Sequence, residues 1–453
     1  MTPPKSIRTL SDKIEGGFNY AIYNLSNTPI HLLENLLRKI QIYPKIFFKT
    51  NNTKELHIGK YDEGPTVNEQ FHFSKIEESK IINPKLDPLL PKIVAFMSFS
   101  ARRQGNSKVD PFWDDVAETA VHYPVLSLMR SENNTLIGFF LDSKYHILVQ
   151  SILDLLQTHD DGSQSSDNLT NDFQIDEIIS FKDFNHMLVN SLDQIASQKI
   201  SKVVLTRPQI VSWNKDRDIN KILSQYYSNE PVNEEFRFHF EIAPNLIFLG
   251  KTPELLVNYQ NGVIQTEALA GTLARGSNEQ EDSINAETLL SSEKYAEEHL
   301  IVVKQLVKSL EQYGKPILET ETPVVRKLKH VQHLLTRISV TTAKVDLFNL
   351  LLELHPTPAL GGEPKKAAVK LISEIEPFWR GYYGSPVGWI GRNGSGKFYV
   401  AIRSGIIKDN NALLYAGAGI VRNSDPQQEW DEITLKFKQM LNTLNLALLT
   451  RED

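Results

Sequence analysis

The 453-residue chain contains no cysteine. Disulfides, a thiol nucleophile and thiolate-held metals are therefore excluded, and a reducing compartment suits it. Any metal must be held by carboxylates or histidine, which points to a hard cation such as magnesium. An excess of positive charge is also missing, since the formal net charge is −6. Neither nucleic acid nor an acidic membrane surface is expected as a partner. No run of about 18 apolar residues occurs, so no transmembrane helix is expected. The opening "MTPPKSIRTLSDKIEGG" holds no apolar core of signal-peptide length. A cytoplasmic protein is the expectation.

Familiar nucleotide and hydrolase signatures are absent too. There is no G-x-x-x-x-G-K-[ST] loop, no G-x-G-x-x-G opening a helix, no G-x-S-x-G and no H-E-x-x-H. "GRNGSGK" has glycines and a lysine, but it reads as a turn between strands.

What is there is globular: 41% hydrophobic and 23% charged residues, enough for a large core. The most linker-like segment is "THDDGSQSSDNLTND", residues 158–172, polar and rich in Ser, Asp and Asn. It divides an N-terminal part, 1–172, from residues 173–453. The first part mixes short apolar runs such as "PKIVAFMSFS", read as strands. After it, Phe184, Met187, Leu188, Leu192 and Ile195 recur at helical spacing. "ISKVVLTRPQIV" reads as a strand with Lys202 at its start. "EFRFHFEI" alternates Phe236, Phe238, Phe240 and Ile242, which predicts a half-buried strand. "NLIFLGKTPELLVNY" and "GVIQTEALAG" read as two more strands. A long helix is predicted over about 285–313 and another over about 345–354.

Eleven of the 23 glycines fall between Gly361 and Gly419, interrupting strand-like runs. That density implies bulges, tight turns or backbone close to a ligand. The final helix is predicted over about 426–449, with Asp425 as N-cap, Pro426 at N1 and Gln428 at N3. Consecutive strands without intervening helices argue against a βαβ series. The expected class is therefore mixed α/β of the α+β type.

Several charges sit oddly. Glu429 and Glu432 are three apart in the final helix, and Glu429 heads its apolar stripe. Glu297 and Glu298 enter the apolar part of the long helix in "SSEKYAEEHLIVVKQL". Each pair reads either as a solvated helix flank or as carboxylates bound to a cation. One glutamate from each of two facing helices would make an oxygen-rich magnesium site. His330 and His333 in "LKHVQHLLTRI" read as helical histidines, in the core or ligating. Arg403 in "YVAIRSG" asks for a partner anion, internal or substrate. Lys202 reads locally as a solvated residue at a strand start.

Nine segments occur in one order: "KVVLTR", "FLGKTPELL", "TEALAGTLARG", "SEKYAEEH", "VQHLLTRI", "LHPTPALGGEP", "RGYYGSPVGW", "AIRSG" and "YAGAGIVRNSDPQQEWDE". Together they resemble the chorismate-utilising enzymes: isochorismate, salicylate, anthranilate and aminodeoxychorismate synthases. The resemblance runs from about residue 175 to 453. Upstream, "VDPFWDDV" is similar to a family feature, while the family's glycine pair appears as "FMSFS".

The resemblance implies large, mostly antiparallel sheets packed as a two-subdomain sandwich with long helices outside. It implies a member that uses water, because Lys202 stands where isochorismate and salicylate synthases carry lysine. Ala270 in "ALAGT" stands where aminodeoxychorismate synthases carry a nucleophilic lysine. The implied activity is magnesium-dependent isochorismate synthase, serving menaquinone synthesis, with a salicylate synthase or a siderophore-type isochorismate synthase as alternatives. The implied base is Lys202, with its amine neutral and aimed at C2 of chorismate, and the implied acid is Glu254. Glu298 and Glu432 would bind Mg2+ directly, and Glu297 and Glu429 through water. Arg403 and backbone near Gly419 would hold the enolpyruvyl carboxylate. His333 would lie near the C4 hydroxyl, Gly271 and Thr272 would line the pocket, and Lys436 would balance the carboxylates. The family analogy implies a monomer.

Overall fold

A computed structural model of the chain describes residues 19–24, 45–49, 53–63, 93–100, 107–131, 134–141, 173–214, 219, 226, 235–343, 345–391 and 394–444. The linker expected at 158–172 lies outside them. Every strand pairing is antiparallel, and the strands form one connected hydrogen-bonded network. It branches at β5 (Thr119–Ser131), where β3 (Thr53–Glu63) takes one edge. The other edge is shared by β4 (Ile93–Met97) and β6 (Asn134–Leu141), with β1 (Asn19–Asn24) beyond β6.

From β3 a first arm continues through β2 (Lys45–Lys49), β9 (Phe236–Ala243) and β10 (Leu246–Thr252). It goes on through β19 (Ser404–Lys408) and β20 (Asn411–Ile420) to β8 (Lys202–Trp213). Two short strands, β7 (Phe173–Glu177) and β16 (Gly362–Glu363), finish it on β8. From β4 a second arm continues through β17 (Pro386–Ile390), β18 (Gly396–Val400), β11 (Leu255–Gln260) and β12 (Val263–Ala274) to β15 (Val331–Thr341). There β13 (Ile317–Leu318) and β14 (Val324–Lys327) close the edge. The architecture is thus the expected α+β one.

Helices cover the arms. They are α1 (Asp110–Trp113), α2 (Phe181–Ala196), α3 (Glu279–Ser291), α4 (Glu293–Leu310), α5 (Leu347–Leu354), α6 (Lys365–Ile375) and α7 (Pro426–Thr443). α4 packs on β12 and α7 on β20. The buried stripe of α4, Val302, Val303, Leu306 and Leu310, explains its seat on the sheet. Asp425 caps α7 as expected, its Oδ1 accepting from the Gln428 amide at 3.0 Å.

Four expectations need correcting. The helix placed over 285–313 is two helices that begin earlier, broken at Ser292 in extended conformation. β9 is not half-buried: Arg237 and His239 are buried along with the phenylalanines, and Arg237 Nη1 donates to the Tyr226 carbonyl at 3.0 Å, so its second face is covered too. The run read as two strands before the long helix is three, β10, β11 and β12. "VQHLLTRI" is strand β15, not helix, with β12 and β14 on its two edges. Its spacing suits either period over so short a stretch.

The N-terminal part shares this core. Trp113 is fully buried, and its Nε1 donates to the Tyr415 hydroxyl at 3.1 Å. Its ring lies against Gly381, whose φ is +57° and where an added Cβ would sit 2.3 Å from ring atoms. Gly381→Ala therefore combines a left-handed backbone with overpacking and is expected to cost about 2–4 kcal/mol. A denaturant melt checks this; an unchanged midpoint would contradict the packing.

Candidate active site

Two of the places where the chain crosses between the arms are neighbours, and the site lies there. The first crossing, from β10 to β11, is Pro253–Glu254; the second, from β18 to β19, includes Arg403. They are hydrogen-bonded to each other. Val400 N donates to Glu254 O at 3.0 Å and Lys251 N to Arg403 O at 3.1 Å. Arg403 has φ +48°, so the run read as strand is broken there, which turns the side chain out of the ladder pattern. On the first arm β8 and β20 run side by side, pairing Val204 with Gly419. On the second, β12 bulges at Gly271, whose φ is +77°, so that Thr272 pairs with His333.

These elements surround one cavity of about 690 Å³, counting its open mouth. Glu254, Gly271, Thr272, Glu298, His333, Arg403, Gly419, Glu432 and Lys436 all line it. Three expected residues do not. Lys202 is fully buried behind Gly419, at the start of β8. Glu429 is buried beneath the wall. Glu297 is exposed, because its neighbour Glu298 turns to the cavity and adjacent helix positions do not share a face.

Lysines meet the carboxylates one by one. Lys202 Nζ lies 3.0 Å from Glu298 Oε1, Lys436 Nζ 2.7 Å from Glu432 Oε1 and Lys294 Nζ 2.8 Å from Glu429 Oε1. Lys202 is not the solvated residue its local sequence suggests; its Nζ is buried against Glu298. Glycine is required beside that pair, since a Cβ at 419 would sit 2.3 Å from Glu298 Oε1 and 2.8 Å from Lys202 Cε. Burial first, and the charge of Glu432 second, push the Glu429 carboxyl up to about 7. Lys436 also donates to Gly417 O at 2.7 Å.

The polar groups on the opposite wall are equally defined. Glu254 is 3% exposed, and burial raises its carboxyl to about 8. The cations Lys202, Arg403 and Lys436 oppose that rise, and Glu267 adds to it. Burial lowers the Arg403 guanidinium to about 10. Arg403 Nη2 lies 2.8 Å from His333 Nε2, and Thr272 Oγ1 lies 3.1 Å from His333 Nδ1. A guanidinium only donates, so Nε2 accepts and the ring carries its proton on Nδ1. Burial, with Arg403 adding to it, holds His333 well below its usual range, which fits a neutral ring.

Carboxylates from two helices facing one cavity are hard oxygen donors. Magnesium keeps several waters and needs one or two such ligands, so Glu298 and Glu432 fit it. Among the described residues no three acidic or histidine side chains converge as a ready cage.

Sequence reasoning missed Tyr383 in the wall, and Lys294 beneath it. Tyr383 stands within "RGYYGSPVGW". Lys294 stands four before Glu298 in "SEKYAEEH", so the helical period alone puts it on the cavity-facing side.

A family model described as chorismate binding enzyme matches residues 28–445. Isochorismate synthase MenF of Bacillus subtilis is 36% identical over 263 residues, 58% of this chain and 55% of that protein. The chain thus spans little more than half of that relative's length. Isochorismate synthase EntC of Escherichia coli K12 is 32% identical over 264 residues, 58% of this chain and 67% of that protein. The solved structure of MenF, the menaquinone-specific isochorismate synthase from Escherichia coli, superposes with TM-score 0.76 at 24% identity. That match covers 94% of each chain, and it shows the shared fold. Among the described residues no helix is long and apolar enough to cross a membrane.

Proposed function

The chain belongs to the chorismate binding enzyme family, and on that premise we propose that it is an isochorismate synthase, serving menaquinone synthesis in the cytoplasm as a monomer. One observation carries the reading. A carboxyl that stays protonated near neutral pH, Glu254, faces the same cavity as the buried cation Arg403 and the helix carboxylates Glu298 and Glu432.

Chorismate has two carboxylates, a C4 hydroxyl and an enolpyruvyl ether. Water adds at C2, the ring double bonds shift, and the C4 hydroxyl leaves. Such a reaction needs a base for the water and an acid for the hydroxyl. Lys202 is the base, a role that requires its Nζ to turn from Glu298 towards the cavity. Glu254 is the acid. Arg403, oriented by His333, and the backbone near Gly419 hold the enolpyruvyl carboxylate. Gly271 and Thr272 line the wall. Glu298 and Glu432 would hold Mg2+, with Lys436 balancing the cluster; Glu297, on the exposed side of its helix, and Glu429, buried against Lys294, would not touch the ion. The ion supplies positive charge that offsets the ring carboxylate. We read residues 1–172 as the N-terminal part of the same unit, a reading the β2–β9 and β4–β17 pairings support, and 173–453 as its catalytic region.

The test is to incubate the protein with chorismate and Mg2+ and separate the products. Isochorismate is expected, and activity should vanish when EDTA removes the ion. Salicylate with pyruvate would favour a salicylate synthase instead, and unchanged chorismate would sink the proposal.

A further inference from the structure

Arg326 and Glu267 do not line the cavity, yet both are buried. A buried ion pair adds little net stability, because desolvating two charges offsets their attraction. Stability alone therefore does not account for the pair, and its geometry points elsewhere. Arg326 lies on β14, opposite His333 of β15, and Glu267 lies on β12 at the other edge of β15. The guanidinium reaches across β15 to grip the carboxylate at both oxygens, Nη1 to Oε2 at 2.7 Å and Nη2 to Oε1 at 2.8 Å. Nη1 also donates to the carbonyl of Pro253 at 2.8 Å. Pro253 immediately precedes Glu254 in the first crossing. Proline has no N–H, so its carbonyl is the handle by which that residue's backbone is held. On the other side of the crossing Glu254 O accepts from Val400 N at 3.0 Å. The acid thus projects from a backbone pinned before and after.

We infer that Arg326 and Glu267 form the positioning pair for Glu254. Arg326 sets the backbone from which the carboxyl projects, and Glu267 sets a fixed negative charge near it. The inference rests on the reading of Glu254 as the acid. The charged and titratable groups facing Glu254 are Lys202 from β8, Arg403 from the second crossing, Lys436 from α7, Glu267 from β12 and Tyr383. Three of these are cations that favour its ionised form. Glu267 is the acidic side chain that counters them, and it is held in place by Arg326 and by Arg337 at 3.2 Å.

The experiment compares kcat and KM across pH for the parent, Arg326→Lys, Glu267→Gln and Glu254→Gln. Lysine keeps the charge, but a point ammonium does not reproduce the fork that holds two carboxylate oxygens and a carbonyl. Arg326→Lys is expected to lower kcat about tenfold or more, with KM near the parent's, as misplacing a catalytic group does. Glu267→Gln keeps the shape and removes the charge, so the alkaline fall of kcat should move down by about one pH unit. A merely structural pair would lower the melting temperature and leave that limb in place. Parental kcat in Arg326→Lys with a parental alkaline limb in Glu267→Gln would overturn the inference. Should one variant fail to fold, the other decides. If Glu254→Gln keeps the parental rate, the assignment of the acid itself fails. If Glu254→Gln is inactive while the other two match the parent, only this inference fails.

Discussion

Lys202→Ala is expected to cut isochorismate formation by about 10²–10⁴-fold, the usual contribution of a positioned general base. Its fold should survive. Lys202 is fully buried, but its partner Glu298 keeps 14% of its side chain exposed at the cavity, so water can reach the carboxylate left behind. Substrate binding should change little, because Arg403 and the carboxylate pair Glu298 and Glu432 are untouched. The loss should therefore appear in kcat and not in KM. Steady-state product formation with a melt of the same sample checks this. A folded variant with parental turnover would remove Lys202 from the mechanism even if the activity were real.

Glu254→Gln is the second large effect. Glutamine has the same outline but no proton to give the departing C4 hydroxyl, so kcat is again expected to fall by about 10²–10⁴-fold. The pH dependence separates this variant from a packing defect. In the parent the Glu254 carboxyl is raised from 4.5 to about 8, chiefly by burial. It is therefore protonated below pH 8 and competent as an acid, and turnover should fall as pH rises through 8. The linked stability has the same sign. The neutral buried carboxyl contributes stability that is full below pH 4.5 and lost as pH rises through about 8. Relative to the variant, the parent should therefore lose thermal stability progressively between pH 4.5 and about 8 and little more above that, which melts at pH 4, 6 and 9 check. A parental rate in the variant, or no alkaline fall in the parent, would contradict the assignment.

Much of the fold was legible in the chain because its signals are local. The cap at Asp425 needs only three residues, and the stripe of α4 needs only its own period. Lys202 was legible as the first residue of β8 for the same reason. "VQHLLTRI" was misread because a short apolar run satisfies two periods, and its neighbours β12 and β14 come from distant sequence. β9 was misread because burial of Arg237 and His239 depends on what packs over its second face, such as Tyr226, which local alternation does not report.

By itself, then, the sequence determined the strand-rich α+β class, the exclusion of thiol chemistry and the set of residue types available for acid, base and cation work. These follow from composition and from periods of two and 3.6, which any window of chain displays. Only the tertiary structure decided which of those residues meet. Lys294 partners Glu429 across 135 positions, and Lys202 partners Glu298 across 96. Glu297 faces water while Glu298 faces the cavity. Glu254 takes its raised carboxyl from burial where the chain crosses between arms. Such pairings depend on which strands lie side by side, and charge and burial act through space, with no regard to distance along the chain.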